Sequence, residues 1–180
     1  THVTPSDRRT ALAEKYTSDY KSTITTLTFD IFGTVLDLSG SLIEPTDEFL
    51  SQHGAAIKGA DFWTYWRNRQ RLEQYQDNLL MLGHSGYLET CRRAFVYCLK
   101  LHHVDFTYAD VSAFMTVYQN LQPYPDAVAG LKRLGEQYSL VALSNGEQRF
   151  LEHLVADNIR VYFDEIISVE QVGVFKPHPS

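Results

Sequence analysis

Thr25-Thr26-Leu27-Thr28-Phe29-Asp30-Ile31-Phe32-Gly33-Thr34-Val35-Leu36-Asp37 is the stretch whose reading decides the fold. A run rich in β-branched and aromatic residues reaches a carboxylate, and a glycine follows three positions later. The pattern predicts a buried strand that ends at Asp30 and breaks into a tight turn. An open parallel sheet places its ligands at the carboxyl ends of its strands, where Asp30 would stand. Taken alone, the same residues fit an ordinary turn aspartate better. The rest of the chain changes that balance.

Upstream, Thr10 to Tyr20 has a weak helical pattern, so residues 1–21 read as an N-terminal arm. Downstream, Leu38 to Glu44, with Gly40 and Pro45, reads as a linker leaving the sheet. From Thr46 to Tyr118 helical periods replace strand patterns. Thr46 with Asp47 and Glu48 looks like a helix start. Asp61 to Leu82 follows, with Phe62, Tyr65, Trp66, Leu72, Leu79 and Leu80 in helical register. After Gly83-His84-Ser85-Gly86 come helices over Tyr87–Leu101 and Tyr108–Asn120, the latter capped by Thr107. Pro125 opens a helix reaching about Gln137. Ser139 to Leu143 is a short apolar strand ending at Ser144-Asn145-Gly146. A helix over Glu147–Ala156 and a strand over Tyr162–Ser168 lead to a loop carrying Lys176-Pro177.

These elements predict an α/β fold, a Rossmann-like parallel sheet core formed by residues 22–40 and 121–180. Residues 41–120 form an inserted α-helical cap. The chain has 180 residues, 44% hydrophobic and 21% charged, enough for one domain with a modest insertion. Its net charge of -6 argues against nucleic acid or an anionic membrane as partner. No apolar run is long enough to cross a bilayer, and Thr1 to Lys21 lacks the apolar core of a signal peptide. Cys91 and Cys98 lie on one helix face, roughly 10 Å apart along the axis, too far for a disulfide. Reduced thiols and a cytoplasmic setting fit best. His2, His53, His84, His102, His103, His153 and His178 have no metal-ligand spacing and read as surface or packing residues.

Three polar features fall at comparable places: Asp30 after the first strand, Ser144-Asn145 after the second, and Lys176 after the third. A parallel sheet would bring them to one edge. There a lysine keeps a carboxylate ionised while a hydroxyl and an amide orient a reactant.

Asp30-Ile31-Phe32-Gly33-Thr34-Val35 resembles the first motif of the haloacid dehalogenase superfamily. Ser144-Asn145 resembles the second motif and Lys176-Pro177 the third, and the helical insertion is similar to the cap between motifs one and two. The resemblance covers Ile24 to Pro179. Phosphatases of this superfamily place a second aspartate two residues after the nucleophile, to protonate a departing alkoxide. Here that position is Phe32, which has no proton to give. Halide is a weak base and leaves unprotonated, and the dehalogenase branch has an aromatic residue at this place. That branch also has a cap arginine in a Trp-Arg context, which Trp66-Arg67 resembles. Arg69 and Arg71 lie close by, and helical spacing puts Arg69 nearer the apolar stripe.

The resemblance implies catalytic roles for Asp30, Thr34, Ser144 and Lys176, and substrate contacts for Phe32, Arg67 and Asn145. It implies a 2-haloacid or related small carboxylate as partner, with no metal or organic cofactor, and homodimers are common among similar dehalogenases. Superfamily members continue past motif three to an acidic fourth motif, to which nothing here can be assigned. The C-terminal part of the core is therefore expected to be missing. Two other readings stay open: a magnesium-dependent phosphatase or phosphotransferase, and a non-catalytic member acting by binding.

Overall fold

The computed structural model describes residues 23–179. The arm over residues 1–21 lies outside the described residues. Three parallel strands form the sheet in the order β1 (Thr26–Phe29), β4 (Ser139–Ser144), β5 (Glu165–Ser168). The register pairs Phe29 with Ala142 and Ser144 with Ser168, so β1 and β4 expire at the same sheet edge. Asp30 stands one residue past the end of β1. Beyond it the chain folds into a tight turn: the N–H groups of Thr34, Val35 and Leu36 converge on the Ile31 carbonyl. Gly33 holds a φ of +86, a conformation in which a Cβ is strained. β1 is less buried than its composition predicts. Thr26 and Thr28 are exposed and only Leu27 and Phe29 pack on the core, because β1 pairs with β4 on one side alone among the described residues.

Helices α1 (Leu38–Gln52), α2 (Gly59–Leu79), α3 (Tyr87–Leu101) and α4 (Tyr108–Phe114), with a 3-10 turn over Met115–Asn120, form the helical stretch between β1 and β4. The predicted linker over 38–44 is instead the first two turns of α1. Asp37 caps that helix, accepting the Gly40 N–H at 2.9 Å, and a Cβ on Gly40 would stand 2.3 Å from Asp37 Oδ2. Gly40 is thus a helix-start residue, and Pro45 is carried inside the helix. A short antiparallel pair, β2 (Leu36–Asp37) with β3 (Gln122–Pro123), ties the two crossings of the chain together. Thr107 caps α4 in a reciprocal box with Asp110.

Trp66 and Phe62 are the aromatic anchors of α2, fully buried against Phe95 of α3, with Trp66 Nε1 donating to the Cys91 carbonyl at 2.8 Å. The rest of the predicted apolar stripe faces solvent: Tyr65, Leu72, Leu79 and Leu80 are all at least half exposed. Buried in their place are Gln70, Glu73, Gln74 and Asp77. Burial of the two acids is compensated by partners. Arg69 and Arg93 pair with Glu73 at 2.7 and 3.3 Å, and Arg93 and Ser85 both reach Asp77. Cys91 and Cys98 are free and buried.

α5 (Ala127–Gly135) and α6 (Gln148–His153), the latter continuing as a π-helical turn over Leu154–Ile159, connect the sheet strands. Both are shorter than predicted at their starts, with Asp126 and Glu147 as cap residues, and Pro125 precedes α5. No helix among the described residues is long and apolar enough to cross a membrane.

Candidate active site

The parallel register brings the three polar features together. Lys176 Nζ lies 3.0 Å from Asp30 Oδ1 and also donates to the Leu143 carbonyl at 2.5 Å. Thr34 Oγ1 donates to Asp30 Oδ2 at 3.2 Å. The carboxylate is therefore held at both oxygens, by a cation from the loop after β5 and a hydroxyl from the turn after β1. Asp30 keeps 40% of its side-chain exposure, so its oxygens remain open to a small molecule.

Asn145 holds the lysine in place. Its Oδ1 accepts the Lys176 N–H at 2.7 Å, and its Nδ2 donates to the Lys176 carbonyl and to Gln74 Oε1, both at 3.4 Å. Ser144, expected beside the reactant, is instead fully buried. Strand alternation explains this: Leu140, Ala142 and Ser144 point to the covered face of β4, and Ser144 Oγ accepts the Gly146 N–H at 3.4 Å. Its side chain supports the turn that presents Asn145.

Phe32 stacks on Tyr87 of α3, ring centroids 4.0 Å apart and planes 9° apart. Gly146 makes room for it, since a Cβ there would stand 2.7 Å from Phe32 Cε2. A small cavity of about 170 Å³ opens above this pair. Asp30, Phe32, Arg67, Tyr87, Asn145 and Lys176 line it, as do Gln70, Arg71, Gln74 and Tyr75 of α2. Arg67 Nη1 donates to Gln70 Oε1 at 2.5 Å, and Gln70 in turn donates to Thr90 at 3.3 Å, which fixes the guanidinium. Arg69 turns away, paired with Glu73 and stacked over Tyr97 at 4.1 Å. Of the arginines weighed from the sequence, Arg67 thus reaches the cavity, Arg71 joins it, and Arg69 does not.

Helix α2 also grips the loop that carries Lys176. Asn78 Nδ2 donates to the Phe175 carbonyl at 2.7 Å and Asn78 Oδ1 accepts the Phe175 N–H at 2.8 Å. His84 Nε2 lies 2.8 Å from the Asn145 carbonyl, and its ring packs on Phe175. Gln70, Gln74, Asn78 and His84 were missed as site residues, and Arg71 was weighed only as an alternative to Arg67. For the first three a signal existed: with Arg67 and Arg71 they recur at helical spacing, a polar stripe running alongside Trp66.

The profile of the haloacid dehalogenase-like hydrolase family matches residues 24–180. The chain belongs to that family. It is 29% identical over 153 residues to an (S)-2-haloacid dehalogenase of Burkholderia cepacia, covering 84% of this chain and 63% of that protein. It is 31% identical over 157 residues to an (S)-2-haloacid dehalogenase of Xanthobacter autotrophicus, covering 87% and 59%. The solved L-2-haloacid dehalogenase of Xanthobacter autotrophicus superposes with a TM-score of 0.76 at 28% identity, over 87% of this chain and 61% of that one. A second structure of that enzyme holds chloropropionic acid covalently bound, with a TM-score of 0.74. The chain spans about three-fifths of the length of the curated relatives it matches.

Proposed function

We propose that this protein is a 2-haloacid dehalogenase in which Asp30 displaces halide from a short 2-haloalkanoate. The observation that carries the reading is a carboxylate gripped by Lys176 at 3.0 Å, with a phenylalanine two residues on. A carboxylate is a competent nucleophile at carbon, and the lysine beside it fixes the position of one of its oxygens. Phe32 has no proton to give, which suits a leaving group that needs none. The relatives named above carry dehalogenase names, and the site residues of this chain are compatible with that chemistry.

In the proposed reaction an Asp30 oxygen attacks C2 from the side opposite the halogen. The carbon–halogen bond breaks, its electron pair leaves with the halide, and an aspartyl ester remains with inversion at C2. Water then adds to the Asp30 carbonyl carbon, the ester carbon–oxygen bond breaks, and a 2-hydroxy acid and a proton are released. Thr34 fixes the rotation of the carboxylate, and Arg67 and Asn145 stabilise the departing anion. Helices α1 to α4 serve as a cap over the sheet edge, with α2 supplying the wall that faces Asp30. No step in this sequence calls for a metal.

The test is halide release from 2-chloropropionate, each enantiomer separately. The account expects release that disappears in Asp30→Asn. Magnesium-dependent phosphate release from an aryl phosphate, with no halide from either enantiomer, would overturn it.

A further inference from the structure

His84 is half-buried in the connector between α2 and α3, and the proposed reaction gives it no part. Its neighbours hold that connector against the sheet edge. A Cβ on Gly83 would stand 3.7 Å from the Gly173 carbonyl oxygen, so the connector runs close to the loop after β5. Ser85 donates to buried Asp77, which Arg93 also grips at 2.6 Å. The imidazole itself makes two contacts. Its ring lies on Phe175, centroids 4.1 Å apart, and its Nε2 lies 2.8 Å from the Asn145 carbonyl oxygen. A carbonyl oxygen only accepts, so the proton of that bond belongs to Nε2.

The pairing of β4 with β5 ends at Ser144, so the Asn145 carbonyl is met by a side chain of the helical stretch instead of a strand. What depends on that carbonyl is the aim of the Asn145 amide. Its Oδ1 is firmly held by the Lys176 N–H at 2.7 Å. Its Nδ2 contacts are both long, 3.4 Å to the Lys176 carbonyl and to Gln74, which leaves this donor able to turn toward an anion in the cavity. A side chain aims only as well as its backbone is fixed, and a misplacement of about 1 Å can cost roughly 10²-fold in rate. His84 fixes that backbone from outside the cavity, since it is not among the residues that line it. Through Asn145 the same bond steadies the Lys176 backbone, and with it the Nζ that meets Asp30.

We infer that His84 is a positioning residue for the displacement: its Nε2–H pins the Asn145 carbonyl, so that the Asn145 amide meets the departing halide and Lys176 stays on Asp30. This deepens the dehalogenase reading and rests on it. The ring's packing on Phe175 is a separate contact, and the two are separable by substitution. Phenylalanine keeps a ring and loses the donor, whereas glutamine keeps a donor at similar reach and loses the ring.

The experiment measures halide release from 2-chloropropionate by the protein, His84→Phe and His84→Gln, each also in an Asn145→Ala background. The expected result is a kcat lower by about 10- to 100-fold in His84→Phe, with KM within about twofold, and most of the loss recovered in His84→Gln. With Asn145→Ala in place, His84→Phe is expected to cost nothing more, because the group it aims is gone. Full activity in His84→Phe, equal loss in both variants, or losses that multiply with Asn145→Ala overturn the inference while the dehalogenase reading stands. If the protein itself releases no halide, that reading fails, and amide exchange at Lys176 decides the positioning alone. Faster exchange in His84→Phe than in the protein and His84→Gln supports it; equal exchange in all three overturns it.

Discussion

Two residues separate chemistry from architecture at this site. Lys176 and Asp30 are both partly exposed, so their ion pair contributes under about 1 kcal/mol to folding. Their importance lies in the field they set for the reaction. Lys176→Met is expected to lower halide release by about 10²- to 10³-fold while leaving the urea midpoint nearly unchanged, as removal of one charge-stabilising group does elsewhere. Gly146 is the opposite case. A methyl group there meets Phe32 at 2.7 Å and Leu151 at 2.9 Å, and neither ring nor branched chain has room to yield. Gly146→Ala is expected to cost about 1–3 kcal/mol in denaturant unfolding and to push Phe32 off Tyr87, with activity lost alongside. Asp30, Asn145 and Lys176 were legible because strand ends and turns announce themselves in sequence. Ser144 was legible as a strand end, but the face it points to depends on a register that sequence alone leaves open.

Helix α2 is where element-scale reading and structure part. Its aromatic anchors Phe62 and Trp66 are buried as their type predicts, yet the remaining apolar positions face outward and the polar ones inward. Periodicity assigns the hydrophobic face inward; here ion pairs to Arg93 and contacts to the loop at Phe175 make a buried polar face tolerable. The same face delivers Arg67, Arg71 and Gln74 to the cavity and Asn78 to the Phe175 backbone. Asn78→Ala removes both hydrogen bonds to that backbone, at about 1 kcal/mol each. The expected outcome is faster amide exchange at Phe175, slower halide release through a less fixed Lys176, and a loss of about 2 kcal/mol in global unfolding. The start of α1 was misread for a related reason: Gly40 looks like a breaker until its N–H is seen to complete the Asp37 cap.

At the scale of the molecule, the alternation of strand and helix around a helical insertion was readable because it needs only residue type and period. The small β2–β3 pair was not, since two residues on each side carry no pattern. The buried thiols give the whole fold a pH signature. Burial pushes both Cys91 and Cys98 from about 9 up to about 12. A folded value above the unfolded one means that the stability they contribute is complete below about pH 9 and is lost as pH rises toward 12. The urea midpoint is expected to fall steadily over that interval, and a thiol reagent at pH 8 is expected to find neither cysteine in the folded protein.

The central claim is that Asp30 itself bonds to the substrate carbon. Turnover of 2-chloropropionate in water enriched in oxygen-18, followed by mass spectrometry of the peptide containing Asp30, tests it directly. Hydrolysis of an aspartyl ester at the Asp30 carbonyl carbon places heavy oxygen in that carboxylate, and the peptide gains the corresponding mass. A 2-hydroxy acid that carries the label from the first turnover, with Asp30 unlabelled, would mean that water attacks C2 directly and would contradict the account.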